Sequence, residues 1–288
     1  MFLFLLVGLA LLLLPPLSGR AQNSPSAKSY FARGYTNYAQ GDLDAAIADY
    51  TAAIAFDPAY TDAYFNRATI WLTRGRLAEA LRDYDKVIEI NPRMVEAYNG
   101  RGNVRLSQRE FALAISDFSK AIELSPTHAP AYVNRGVARQ SEGDIAGALA
   151  DYGRAIEINP RLPEAYVNRG AAWIEDEAPD RAISDFSTAL TLNPRLAAAY
   201  TGRGKALEEK GDFEGAIAEY GKAIEVDPLY VLAYAHRGLA LAAQGKEVAA
   251  RQDIEQCFRL NDALGQLMKD RVRQLTRKKA GSPRKGGH

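Results

Sequence analysis

The stretch AYVNRG occupies residues 131–136 and recurs, letter for letter, at residues 165–170. The two copies begin thirty-four residues apart, and a fixed period of this length is typical of repeat arrays. Prolines at positions 58, 92, 126, 160, 194 and 228 follow the same spacing. We therefore number the chain as seven repeats, with these prolines at position 32 of the first six. The repeats begin at Ala27, Thr61, Val95, Ala129, Pro163, Ala197 and Val231.

Aromatic and small residues stand at the same positions of every repeat. Position 4 is tyrosine in all seven copies, position 8 is glycine or alanine, position 20 is alanine, and position 24 is aromatic in six. Positions 4, 8 and 11 share one helix face, and positions 17, 20, 21, 24, 27 and 28 share another. Glycine at position 15 of five copies indicates a turn between them, and the proline follows the second helix. Each repeat is thus predicted to be a helix–turn–helix unit.

This pattern resembles the tetratricopeptide repeat family, whose repeat has an aromatic residue at position 4, small residues at 8 and 27, alanine at 20 and proline at 32. The stretch AYVNRGVARQSEGDIAGALADYGRAIEINP at 131–160 is a close example. The resemblance covers residues 27 to about 264 and implies an all-α, right-handed superhelical solenoid of seven helix-turn-helix repeats over residues 27–261. Arg109 and Glu177 depart from the pattern at the turn glycine, and Pro179 and Glu247 depart from it at position 17.

A capping helix is predicted at residues 262–279, after the last repeat. A single hairpin cannot bury its apolar face, so a solenoid needs a covered end. Arg251 stands where the other repeats have isoleucine or leucine, as expected of an outer face. The apolar residues predicted to form the buried stripe of the capping helix are Leu264, Leu267, Met268, Val272 and Leu275.

Every repeat carries an arginine and an acid that are predicted to pair. Positions 7 and 23 lie equally far from the turn, so their side chains face each other across the hairpin. The arginines at position 7 are Arg33, Arg67, Arg101, Arg135, Arg169, Arg203 and Arg237. The acids at position 23 are Asp49, Asp83, Asp117, Asp151, Asp185, Glu219 and Asp253. An alternative is a row of guanidinium groups for an anionic ligand, but the matched acids favour structural ion pairs.

The resemblance also implies a binding site, since in the family the first helices of the hairpins line a concave groove. Positions 2, 5, 6, 9, 12 and 13 point into it. The candidate residues of a partner-binding groove are Phe31, Tyr35, Tyr38, Phe65, Asn66, Thr69, Leu72, Asn99, Asn103, Asn134, Gln140 and Asn168. Amides bond both donors and acceptors of a peptide backbone, and aromatic rings supply contact area. These residues suit an extended peptide or a helix of a partner. The alternative is that they are solvated groove residues and contacts between repeats, with no role in binding.

Motifs for catalysis, cofactors and metals are missing from the sequence. The three histidines, at 128, 236 and 288, are far apart, and no H-x-x-x-H, G-x-S-x-G or P-loop occurs. We therefore expect no catalytic residues, no cofactor and no metal site. Cys257 is the only cysteine, which excludes an intrachain disulfide. It is either a small core residue or a thiol that pairs with another chain.

The first residues have the character of an export signal. Phe2 to Leu14 are apolar, which is short for a membrane span of roughly 20 residues. Gly19 and Ala21 provide the small residues of a cleavage site, although no basic residue precedes the apolar run. We predict a cleaved signal peptide at residues 1–21, a linker at 22–26, and a periplasmic or secreted protein. An uncleaved membrane anchor is the alternative.

Charge is unevenly distributed along the chain. The net charge is +1, yet residues 269–288 hold eight lysines and arginines against one acid, Asp270, so the remaining body is acidic. An acidic body argues against a nucleic-acid partner. Residues 280–288 are predicted to be a disordered basic tail. The tail either keeps the protein soluble or makes weak contact with an anionic membrane surface.

Together these observations predict an exported, non-catalytic scaffold or adaptor that binds a protein or peptide in its concave groove. The alternative is an accessory subunit that recruits or activates an enzyme which processes peptidoglycan or polysaccharide in the cell envelope.

Overall fold

The computed structural model describes residues 26–281, with side chains described as far as residue 275, and these residues form fifteen α-helices. The helices are α1 (Ala27–Ala39), α2 (Leu43–Phe56), α3 (Thr61–Thr73), α4 (Leu77–Ile90), α5 (Val95–Ser107), α6 (Phe111–Leu124), α7 (Ala129–Glu142), α8 (Ile145–Ile158), α9 (Pro163–Glu175), α10 (Pro179–Leu192), α11 (Ala197–Glu209), α12 (Phe213–Val226), α13 (Val231–Ala243), α14 (Glu247–Leu260) and α15 (Asp262–Gly281).

Helices α1 to α14 form seven consecutive hairpins, and the second helix of each hairpin also packs against the first helix of the next. The predicted all-α solenoid is therefore confirmed. Its core follows the repeated positions: the alanine at position 20 is fully buried in every repeat, and the aromatic ring at position 24 is at most 2% exposed. Apolar burial is thus distributed along the whole length of the array rather than gathered in one centre.

The small residue at position 8 is required by the aromatic ring at position 24. In the third repeat, a Cβ atom placed on Gly102 would lie 2.5 Å from the ring of Phe118. In the fourth repeat, a Cβ on Gly136 would lie 2.6 Å from the ring of Tyr152. Because real Cβ contacts are longer than this, the two helices of each hairpin approach closely only where position 8 has little or no side chain.

The turn inside each hairpin uses a left-handed residue at position 15. Five glycines occupy it with φ between +70° and +89°, as Gly143 does. Arg109 and Glu177 take the same conformation with φ of 63° and 55°, so the turn is kept where the glycine is missing. After the second of these residues, Pro179 is the first residue of α10, a position where its missing N–H costs nothing.

Helix α15 covers the end of the array. It packs against α13 and α14, and Met268 lies buried beside Ile254 and Cys257. The placement of Leu267 in the buried stripe was wrong, because this side chain is 52% exposed. Successive helix residues differ by about 100°, so Leu267 lies on a different face from Met268 and turns toward solvent. Cys257 is fully buried, as expected of a core residue.

The ends of the chain lie largely outside the described residues. The predicted signal peptide at 1–21 and all of the linker except Ser26 belong to this part. At the other end, α15 continues to Gly281, whereas the capping helix was predicted to end at residue 279; the tail after 281 is not described. Between residues 26 and 281, none of the helices combines the length and the apolar character that a membrane crossing requires.

Candidate functional site: the concave groove and the arginine ladder

Arginines at position 7 form a ladder along the solenoid, and we call these seven side chains the arginine ladder. Each of them binds the acid at position 23 of its own hairpin. In the fifth repeat, Arg169 Nε and Nη2 donate to the two carboxylate oxygens of Asp185, both at 2.8 Å. The acids at position 23 are 3–7% exposed and are the only buried charged side chains among the described residues. Two parallel bonds to a carboxylate give this pairing a fixed geometry.

The arginine ladder also connects neighbouring repeats. Arg67 Nη1 donates to the hydroxyl of Thr51 at 2.8 Å, and Arg101 Nη1 donates to Asp85 at 2.7 Å. Thr51 and Asp85 both stand at position 25 of the preceding repeat. Arg135 and Arg203 donate in the same way, each at 3.1 Å, to a serine at that position. One side chain therefore holds its own hairpin closed and binds the previous hairpin.

Further contacts come from position 11, which holds a polar residue in the first, third and fourth repeats. Arg105 Nη1 and Arg139 Nη1 donate at 2.7 and 2.8 Å to Asp117 and Asp151, the acids that the arginine ladder already binds. Asn37 donates to the corresponding acid of the first repeat at 2.9 Å. Each arginine of the ladder also lies over the tyrosine at position 4, at 5.1–5.9 Å from the ring centroid.

These contacts give the arginine ladder a structural role. Six of its side chains are only 16–27% exposed, and their guanidinium groups are engaged by carboxylates and ring faces. Arg33 is the exception at 63%, because no repeat precedes it. A ligand anion would have to displace a buried carboxylate from the arginine, so the ladder is a poor anion site.

The groove candidates divide into three groups, of which the first belongs partly to the core. The ring of Phe31 packs edge-on against Tyr60 at 5.2 Å, and that of Phe65 packs edge-on against Tyr84 at 5.8 Å. Leu72 packs against the same cluster as Phe65. All three side chains are partly buried, and Phe31 joins the first repeat to the start of the second.

A second group is engaged in hydrogen bonds inside the protein. Asn134 donates to the side-chain oxygen of Asn99 at 3.0 Å, which joins the third and fourth repeats. Gln140 likewise donates to Glu175 of the next repeat at 2.6 Å. Two hydrogen bonds within the second repeat complete the group. Asn66 donates to the carbonyl of Asp62 at 2.8 Å, and the hydroxyl of Thr69 bonds that of Tyr84 at 3.1 Å.

The third group is free to meet a partner. Tyr35 and Tyr38 are 59% and 43% exposed. Within residues 26–275, the side chains of Asn103 and Asn168 make no hydrogen bond although both are half-buried. The structure thus leaves an aromatic surface at the first repeat and unbonded amides in the third and fifth.

A titratable cluster at the far end of the groove was not predicted from the sequence. The hydroxyl of Tyr220 donates to Glu208 at 2.9 Å, and the ring of His236 stacks on Tyr220 at 5.6 Å. Burial raises the pKa of Glu208 and lowers the pKa of His236, since it disfavours both charged forms. Glu208 and Arg271 line the same pocket of about 420 Å³. One indication of this cluster was present in the sequence: Glu208 is an acid at groove position 12, where the fourth repeat has the uncharged Gln140.

Side chains of the types that bind metals do not cluster in the part of the chain that the structure describes. There, no three side chains of the histidine, cysteine, aspartate or glutamate type converge as metal ligands would. Of the titratable pair in the groove, Glu208 accepts a hydrogen bond from Tyr220 and His236 stacks on the same ring.

Solved structures with the same architecture are numerous. A tetratricopeptide repeat protein from Parabacteroides merdae is 20% identical, with a TM-score of 0.70 over 87% of this chain and 98% of its own. YrrB, described as a tetratricopeptide repeat protein with an unusual peptide-binding site, is 27% identical, with a TM-score of 0.50 over 64% of this chain and 95% of its own. PilF of Pseudomonas aeruginosa is 20% identical, with a TM-score of 0.62 over 74% of this chain and 98% of its own.

Sequence comparison addresses the family directly. No curated protein matches the chain at a significant level. Family models described as tetratricopeptide repeat match residues 31–94 and 95–128, and one described as TPR repeat matches residues 140–173 and 204–245. These matches and the seven helical hairpins agree with the resemblance seen in the residues themselves. The chain belongs to the tetratricopeptide repeat family.

Proposed function

We propose that this protein is an exported, non-catalytic scaffold that binds a protein or peptide partner in its concave groove. The observation that carries the proposal is the third group of groove residues. Tyr35 and Tyr38 expose their rings, and the amides of Asn103 and Asn168 have no hydrogen-bond partner within the described chain. Rings and free amides in one groove offer a peptide both contact area and bonds to its backbone.

Similarity to YrrB supports a peptide as the partner. That protein is described as having a peptide-binding site, and 95% of its chain is covered by the match. The arginine ladder binds neighbouring hairpins to each other, and none of its bonds within the described residues uses Tyr35, Asn103 or Asn168. A rigid scaffold with adaptable polar side chains loses little conformational entropy when it binds.

The binding proposal is tested with a groove variant and a matched control. The variant combines Tyr35→Ala, Asn103→Ala and Asn168→Ala, three changes that break no hydrogen bond within the described residues. The control is Leu113→Ala, a 49% exposed side chain on the second helix of the third hairpin. We expect cross-linked partners to be captured from the native envelope fraction by the unchanged protein and the control, and lost from the groove variant.

The outcome also separates the two functions considered from the sequence. Equal capture by the groove variant would place the partner elsewhere and overturn the proposal. Mass spectrometry of the captured proteins identifies the partner, and a hydrolase or synthase of the envelope would favour the accessory-subunit alternative. Circular dichroism of all variants checks that each is folded.

Export is the second part of the proposal, and it rests on the apolar run from Phe2 to Leu14 and the small residues before Gln22. We expect the native protein to begin near Gln22. Mass measurement of the protein purified from its own cells tests this, and an intact Met1 would favour a membrane anchor instead.

A further inference from the structure

One buried hydroxyl beneath the groove has no partner. Tyr50, at position 24 of the first repeat, is fully buried, and its hydroxyl forms no hydrogen bond within the described residues. The equivalent hydroxyls are satisfied from groove positions: Tyr84 bonds Thr69, Tyr152 bonds Gln140, and Tyr220 bonds Glu208. The tyrosine hydroxyl at position 24 therefore faces the groove, and only in the first repeat does it meet no acceptor.

Aromatic side chains stand in place of that acceptor. Tyr35 and Tyr38 occupy the groove positions at which the other repeats have Thr69, Gln140 or Glu208. Burial is the main cause that raises the pKa of Tyr50 to about 12, as expected of a phenol taken out of water. Both outer rings are largely exposed, so they are free to turn aside and uncover the hydroxyl.

Aromatic rings surround this hydroxyl on the groove side. The ring of Phe31 packs 5.6 Å from that of Tyr50. The charged residues at groove positions of the first two repeats are Lys28 and Asp62, both at position 2, whereas positions 5, 9 and 12 of the first repeat are all aromatic. A ligand that offers apolar rings and an unbonded carbonyl satisfies both the aromatic walls and the buried donor.

We propose that the first two repeats bind a proline-containing segment of the partner in an extended conformation, with one of its backbone carbonyls accepting a hydrogen bond from the Tyr50 hydroxyl. This inference rests on the proposed function and specifies the chemistry of the partner. Polyproline II segments form no internal hydrogen bonds, so their carbonyls are available to a donor. Their rings pack into aromatic grooves, and their restricted backbone loses little entropy on binding.

The test is fluorescence anisotropy with a labelled decaproline peptide, and a glycine–serine decapeptide serves as the comparison. We expect the protein to bind decaproline at least about tenfold more tightly, because only that peptide offers rings to the tyrosines. Tyr50→Phe removes the donor and should weaken decaproline binding roughly two- to tenfold, the range for one net hydrogen bond. Tyr35→Ala with Tyr38→Ala should abolish the preference for decaproline.

Tyr220→Phe is the matched control. It deletes the hydroxyl at the same position of the sixth repeat, far from the proposed site, and should leave decaproline binding unchanged. The two variants should also differ in thermal unfolding. Tyr220→Phe should lower Tm because it removes a bond to Glu208, whereas Tyr50→Phe should leave Tm unchanged or higher.

Two results would overturn the inference: equal binding of decaproline and the glycine–serine peptide, or equal binding by Tyr50→Phe and the unchanged protein. In either case, loss of native partners from the groove variant described above would still support the proposed function. If native partners are retained by that variant, the proposed function fails instead, whatever the peptides do.

Discussion

A buried carboxylate in each hairpin is the residue-scale feature on which the array depends. Taking an aspartate out of water costs several kcal/mol unless hydrogen bonds replace those lost to solvent. The arginine ladder provides them, and in the third and fourth repeats Arg105 and Arg139 add a second guanidinium to the same acid. The acids therefore differ in how much they depend on their own arginine.

The fifth repeat gives the clearest prediction, since Asp185 is bonded by Arg169 alone among the described side chains. Arg169→Ala should lower the free energy of unfolding by about 3 kcal/mol, because it leaves a buried carboxylate uncompensated. Chemical denaturation measures the loss. The double variant with Asp185→Ala should be far less destabilised than the sum of the two single variants.

Arg135→Ala is the internal comparison. Arg139 continues to bind Asp151 at 2.8 Å after that change, so the loss should be smaller than for Arg169→Ala. Equal losses at the two positions would mean that the acid gains nothing from the second guanidinium.

Glu208 yields a prediction about pH. Burial raises its pKa in the folded protein above the ordinary value, so the folded state favours the protonated form. Stability is therefore lost as the pH rises from the unfolded pKa through the folded one. Glu208→Gln keeps an acceptor for Tyr220, as Gln140 does for Tyr152, and removes the charge.

We expect the Glu208→Gln variant to be more stable than the unchanged protein at pH 7 and equally stable near pH 4, about where an unfolded glutamate is half protonated. Urea denaturation at both values measures this. A variant that is less stable at pH 7 would show that the charged carboxylate is favoured in the groove.

At the scale of the element, each hairpin turn requires a residue with left-handed backbone at position 15. In two of the seven repeats this residue is not glycine. Arg109→Gly and Glu177→Gly should each stabilise the protein by ~1 kcal/mol, because glycine adopts positive φ without the strain of a side chain. Gly143→Ala, at φ of 89°, should destabilise it by a similar amount. Thermal unfolding measures all three. A lower Tm for Arg109→Gly would indicate that a contact of the Arg109 side chain stabilises the protein by more than the backbone strain destabilises it.

The hairpins themselves were predictable because their determinants are local and repeated. Alanine at position 20 and an aromatic residue at position 24 recur seven and six times, which fixed both the period and the buried faces. Pairing of positions 7 and 23 could be expected for the same reason, since both lie equally far from one turn.

The groove was harder to read from sequence, because its contacts cross between repeats. The bond from Asn134 to Asn99 and that from Gln140 to Glu175 each join neighbouring hairpins, and no spacing within one repeat indicates them. The cluster around Glu208 was missed partly for the same reason, because His236 stacks on Tyr220 from the next repeat and Arg271 lines the pocket from α15.

At the scale of the whole molecule, helix α15 covers the C-terminal end of the array and buries Met268 against the last hairpin. In a linear array, the stability of each repeat depends on its neighbours. A chain ending at Leu260 should therefore lose protection at the C-terminal hairpins while the middle of the array is unchanged.

Hydrogen exchange of backbone amides measures this loss of protection repeat by repeat. We expect α13 and α14 to exchange faster in the shortened chain, with α5 to α8 serving as the internal reference. Uniformly faster exchange would mean that the array unfolds as one unit rather than from its ends.

The arginine ladder also determines how the solenoid would respond to a pulling force. Four of its arginines donate across the joint to the preceding repeat, but Arg169 and Arg237 face Gly153 and Gly221, which have no side chain to accept a bond. Two of the six joints between repeats therefore lack the hydrogen bond that the arginine ladder makes at the other four. They are the joint between repeats four and five and the joint between repeats six and seven. Stretched from its ends, the array should yield first at those two joints and extend in segments rather than one hairpin at a time.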